Sequence, residues 1–182
     1  MIYYPYNEIK ATQAAGVLLR KAGGEMDYYL LTKMLYIAER ESLRKWNRVM
    51  FGGNLASMPH GPVHSSILDS ARYKDTTTKY WMDNISKPEY YTIHLINKPL
   101  EDDELSEREV NLLTNIYEEF KDFDFDNMKK LTHAFPEYED PGESSLPINI
   151  ETILHIFKKT DNEIECIEAN ASLMCTMTSI CC

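Results

Sequence analysis

His60 and His64 stand four residues apart, a spacing that on a helix puts two imidazoles on one face and suits zinc. Pro59 before the pair and Gly61-Pro62 within it argue against a continuous helix, and no glutamate lies between them to act as a base. The favoured reading makes His60 a hydrogen-bonded turn residue and assigns no metal ligand. His133 and His94 are candidate general bases only in the sense that any imidazole is. Neither has a nucleophile motif beside it: the chain contains no Gly-x-Ser-x-Gly, and Ser65-Ser66 merely follow His64 in sequence. The alternating acids Asp122, Asp124 and Asp126 look like the first half of a calcium loop. Phe123 and Phe125 interrupt them, and neither the required glycine nor a closing glutamate follows. Helix capping and solvated charge account for these acids, and for Asp102-Asp103 and Glu137-x-Glu139-Asp140. Residue types and spacing thus assign no catalytic residue and no cofactor.

The elements that would position these residues are mostly helical. Asn7 is placed to cap a helix from Glu8 to Ala22, with Ile9, Ala15, Leu18, Leu19 and Ala22 on one side and Gly23-Gly24 as its stop. Asp27 caps a second, in which Leu30, Leu31, Met34, Leu35 and Ala38 form a stripe ending near Trp46. The cations clustered at its far end, among them Arg44, Lys45 and Arg48, complement exposed carbonyls there. Next, residues 48–58 read as a hairpin turning at Gly52-Gly53. Gly61-Pro62 then opens a helix to about Arg72, and Asp75 to Thr78 form a polar loop. Residues 90–96, Tyr-Tyr-Thr-Ile-His-Leu-Ile, predict a strand joining that hairpin. Ser106 with Glu109 makes a capping box for a helix through Val110, Leu113, Tyr117 and Phe120. Asp126 caps a short helix through His133 that Phe135-Pro136 stops. Glu137 to Pro147 is the longest loop, Asn149 opens a further helix and Asp161 caps the last. The expected fold is therefore an α-dominant α+β domain of six or seven helices with a small antiparallel sheet, spanning residues 1–174. Residues 175–182 read as a flexible cysteine-containing tail.

Composition narrows the function classes. The chain has 182 residues with 19 Lys plus Arg against 29 Asp plus Glu, a formal charge of −10. A domain of this length buries about 70% of its unfolded surface, so neither disulfide nor structural metal is required. The acidic balance disfavours nucleic acid and favours a basic or positively focused partner. The four cysteines, Cys166, Cys175, Cys181 and Cys182, all lie near the C-terminus, which excludes a disulfide framework for most of the chain and suits a reducing compartment. With no leader-like start and no apolar run approaching the ~18 residues of a spanning helix, the expectation is a cytoplasmic protein away from membranes.

Four ordered segments carry a resemblance. Leu35-Tyr-Ile-Ala-Glu-Arg40 running to Leu43-Arg-Lys-Trp46, then Met58-Pro-His-Gly-Pro-Val63, then Glu104-Leu-Ser-Glu-Arg-Glu109, and finally Leu131-Thr-His-Ala-Phe-Pro-Glu-Tyr138 resemble the Panacea domain of SocA-like antitoxins. The His-Gly-Pro-Val turn is the most diagnostic, and the resemblance spans roughly Leu30 to Ile156. It implies a mostly helical domain with a small sheet and an antitoxin of bacterial or phage origin. Such a protein binds a cognate toxin, or hands it to a Clp-family protease as an adaptor. Partner contacts are then expected from His60, Gly61, Pro62, His64, Trp46, Arg48, His133, Glu137 and Tyr138, with the loop to Ser145. For Trp46, Met58 and Val63, core packing is the competing explanation. Two other classes stay open: a histidine-dependent or metal-assisted hydrolase, and a phage interaction protein acting on a host factor.

Overall fold

The computed structural model describes residues 2–74, 77–96 and 100–180, with backbone alone for 177–180. Asp75 and Thr76 of the polar loop, and Cys181 and Cys182 of the tail, lie outside the described residues. The chain forms α1 (Glu8–Lys21), β1 (Glu25–Asp27), α2 (Tyr28–Trp46), β2 (Leu55–Met58), β3 (Gly61–His64), α3 (Ser65–Ala71) and α4 (Lys79–Asn84). β4 (Thr92–His94), α5 (Glu107–Phe120), α6 (Phe125–His133), β5 (Leu146–Ile148), α7 (Ile150–Ile156) and α8 (Asp161–Ile180) follow. This is the α-dominant α+β architecture that the patterning predicts.

Helix α2 is the axis of the molecule. Its N-cap, Asp27, accepts from the Tyr29 and Leu30 amides, and every residue from Leu31 to Glu39 is buried. One side, with Leu31, Met34, Leu35 and Ala38, joins α1 and α5 in the larger apolar cluster. Tyr36 and Leu43 join the smaller one, completed by Leu55, Ile153, Leu154 and Ile167. A helix covered all round is ordinarily apolar all round, yet α2 carries Lys33 and Glu39 into this interior, at 2% and 2% exposure.

The sheet differs from the expected hairpin, and Glu39 is the reason. Its carboxylate accepts the Met50 amide at 3.1 and 3.2 Å and the Phe51 amide at 2.8 Å. These donors are thereby taken from any strand ladder. Gly52-Gly53 instead docks on the N-terminal segment, with the Gly53 amide on the Tyr4 carbonyl at 2.8 Å. Gly52 has φ +68, and a Cβ there would collide with the Pro5 carbonyl. The hairpin comes one turn later: β2 pairs with β3, Ala56 opposite Val63 and Met58 opposite Gly61, turning at Pro59-His60. Pro62 therefore lies in a strand and does not start a helix, and β3 tolerates it as an edge strand of the order β3-β2-β5.

Strand β4 is likewise displaced from its expected partner. It pairs antiparallel with β1, Glu25 opposite His94, in a separate two-stranded sheet. The remaining departures concern ends of elements. Asp124, not Asp126, caps α6 by accepting the Asn127 amide at 2.8 Å. At α8, Thr160 and Glu163 form the capping pair, the Thr160 amide and hydroxyl both reaching the Glu163 carboxylate, and Asp161 is the first helical residue. Helix α8 continues through residues 175–180. The Ser106–Glu109 box stands as expected, the Ser106 amide donating to Glu109 at 2.8 Å. Ile9 is 43% exposed and outside the core.

Candidate functional site

The hairpin turn at His60 rests on α2 and α6. Gly61, with φ +95, lets β3 approach so closely that a Cβ would meet Thr132 Oγ1 at 2.5 Å, His133 Cδ2 at 3.1 Å and Lys33 Nζ at 3.3 Å. Lys33 donates to the Pro62 carbonyl at 2.6 Å and lies over the Tyr29 ring at 5.2 Å. No carboxylate pairs with it among the described residues, and burial pulls its pKa down to about 7. The Tyr29 hydroxyl donates to the His60 carbonyl at 2.9 Å. The turn is thus held through its backbone, which frees the His60 imidazole to stand exposed, edge-on to Phe125 at 5.3 Å between centroids. Tyr29 meets the same Phe125 ring at 4.5 Å.

His133 closes the other side. Its ring lies 4.3 Å from that of Tyr138, and both His133 Nε2 and the Tyr138 hydroxyl are enclosed without a hydrogen-bond partner in the described structure. Burial lowers the His133 pKa, with Lys129 and Lys33 adding to the effect, so the imidazole is neutral at neutral pH. Burial and Asp140 raise the Tyr138 phenol. Both rings therefore face their surroundings as neutral polar groups. Two exposed carboxylates act on this face, Asp126 on Tyr29 and Asp140 on His133 and Tyr138, with Lys129 as a cation beside His133.

Two of the expected contact residues lie beneath the face. His64 is fully buried; its Nδ1 faces the Ile67 amide at 3.4 Å as the N-cap of α3, and burial brings its pKa down to about 4. The four-residue spacing of His60 and His64 spans an extended strand, so the two rings share no helix face. Glu137 accepts from Tyr36 at 2.9 Å and from Arg40 Nε at 2.5 Å. The Arg40 guanidinium is held between Phe135 and Phe157, at 4.3 and 4.6 Å from their centroids. This buried pair ties the start of the Glu137–Ser145 loop to α2. Trp46 and Arg48 lie elsewhere, in a cleft between the N-terminal segment, α5 and α8.

The contributions of Lys33, Tyr29, Arg40 and Phe125 are missing from the sequence reading. A lysine and a glutamate six residues apart, one within the apolar stripe that runs from Leu30 to Ala38 and one at its end, signal buried polar duty. Their targets, a strand carbonyl and two loop amides, are fixed only by folding.

No described helix is long and apolar enough to cross a membrane, and the His60 imidazole and the Tyr29 phenol sit beside the half-exposed Phe125 ring. The family model for the antitoxin SocA-like, Panacea domain matches residues 31–139, and the chain belongs to that family. The match runs from the start of the buried part of α2 to the loop after Tyr138, and so takes in the whole His60 turn and all its supports except Tyr29. No curated protein and no solved structure matched the chain.

Proposed function

We propose that this protein is an antitoxin that neutralises a cognate toxin by direct protein–protein binding through the face of Tyr29, His60, Phe125, His133 and Tyr138. The observation that carries the reading is the cluster itself. A 43% exposed Phe125 and an exposed imidazole form an aromatic centre flanked by Asp126 and Asp140, in a chain of charge −10. Aromatic anchors supply contact energy, and an acidic rim accelerates encounter with a basic partner. Gly61, Pro62, His64 and Glu137 support the face from beneath, and the Glu139–Ser145 stretch extends it.

Co-expression with the product of the adjacent open reading frame tests this. The expected result is growth rescue with a complex that co-purifies. Phe125→Glu with His60→Asp, two exposed positions, removes both while leaving Tm within about 2 °C. A complex that survives the double substitution overturns the assignment of the face. Rescue in which the neighbour is lost only when a Clp protease is present identifies the adaptor mechanism instead of inhibition.

A further inference from the structure

A second site lies away from the His60 face. The cleft containing Trp46 and Arg48 encloses about 850 Å³, inside the ~300–1,000 Å³ range of small-molecule sites. Its floor is the Met50-Phe51-Gly52 loop, pinned by the buried carboxylate of Glu39. Rigid support of this kind suits a preformed site. Arg48, Arg108 and Lys10 line it, with Glu104 as the sole acidic lining residue. That balance is inverted relative to the whole molecule, where acids outnumber bases 29 to 19.

The three cations are not equivalent. Lys10 is ion-paired with Glu109 at 2.8 Å. The Arg48 and Arg108 guanidiniums have no carboxylate partner in the described structure. Arg108 Cζ lies over the Trp46 ring, 4.7 Å from its centroid, which places a cation and an aromatic surface side by side in the cleft. Apolar wall comes from Tyr4, Val49, Leu173 and Met174, the last two 62% and 52% exposed. Amide groups come from Asn47 and Asn170. The Asn47 Oδ1 is enclosed and unpartnered, while its Nδ2 donates to Glu163 at 2.7 Å.

We propose that this cleft binds a mononucleotide. Guanidinium forks match phosphate oxygens bidentately, and planar bases stack on aromatic rings and guanidinium planes, the two groups that Trp46 and Arg108 bring to the cleft. Glu104 is an acceptor for ribose hydroxyls. A phosphopeptide would satisfy the arginines alone; the indole of Trp46 beside Arg108 adds an aromatic platform that a base can use, which favours the nucleotide.

Isothermal titration calorimetry of the full chain with AMP, ATP, GTP, adenosine and inorganic phosphate decides the matter, alongside tryptophan emission. The result expected is saturable binding of at least one nucleotide with Kd below about 1 mM, and none of adenosine. Quenching should come from Trp46, since Trp81 is fully buried. Arg48→Gln and Arg108→Gln each weaken binding about 10- to 100-fold at unchanged Tm. Arg48 is exposed and carries no packing duty, so it stands as the test if Arg108→Gln disturbs Trp46. Failure of every nucleotide to saturate overturns the proposal. So does an affinity unmoved by Arg48→Gln, or inorganic phosphate binding as tightly as the nucleotides.

Discussion

Lys33 provides a stability experiment whose sign and size follow from its burial. The ammonium is enclosed at 2% exposure, with a single hydrogen bond to the Pro62 carbonyl, and desolvation lowers its pKa from 10.5 to about 7. In the unfolded chain it holds its proton up to its ordinary value. Below pH 7 both states are protonated, and folding bears the full desolvation cost. Between pH 7 and 10.5 the unfolded state binds the proton and the folded state does not, so stability rises with pH by about 1.4 kcal/mol per unit from this group. Over pH 7 to 9 that amounts to roughly 2.5 kcal/mol. Lys33→Met removes the titration and fills similar volume, but leaves the Pro62 carbonyl unpaired at a cost of about 1–3 kcal/mol. Urea unfolding of both proteins from pH 6 to 9 measures the difference directly. The gap, Lys33→Met minus parent, should fall by roughly 2.5 kcal/mol between pH 7 and 9. Parallel curves would refute the claim that Lys33 is a buried, unpaired cation, and with it the account of what holds the His60 turn.

Glu39 and His64 titrate in opposite senses, since burial raises the glutamate to about 7 and lowers the histidine to about 4. Glu39 costs stability as pH rises from 4.5 to 7, while His64 loses it as pH falls from 6.5 to 4. Their effects offset between pH 4.5 and 6.5, so Glu39→Gln should expose the His64 dependence, a loss of about 1.4 kcal/mol per unit on acidification, read by urea unfolding. Gly61→Ala combines a left-handed backbone with a clash against Thr132 Oγ1 at 2.5 Å; a loss of about 3 kcal/mol and a Tm lower by roughly 6–12 °C are expected by calorimetry. Glu137→Leu removes the short acceptor of Arg40 and of the Tyr36 hydroxyl, leaving Arg40 only the longer pair with Glu41 at 3.9 Å, and should cost about 2–4 kcal/mol. Adding Arg40→Met should recover more than half, which a double-mutant cycle measures.

Local chemistry was legible in the sequence because its causes are local. Asn7, Asp27 and Ser106-Glu109 mark the helix starts they mark in the fold, since a cap needs only a short polar side chain and the next turn's amides; Asn149 stands at the start of α7 without a side-chain cap. The α2 stripe, the helical class and the family resemblance likewise reside in contiguous residues. What required the tertiary structure was every choice between competing partners far apart in sequence. The Met50 and Phe51 amides face a β ladder or a carboxylate, and only the packing of α2 brings Glu39 under them. The same folding moves the hairpin to Pro59-His60, turns Pro62 into an edge-strand residue and sends residues 92–94 to β1. It also sorts the expected contact residues physically: His60, His133 and Tyr138 onto one face, His64 and Glu137 beneath it, Trp46 and Arg48 into a separate cleft. Spacing along the chain gives helix faces, but burial and partner identity are set by segments dozens of residues away, which is why the turn was readable and its supports were not.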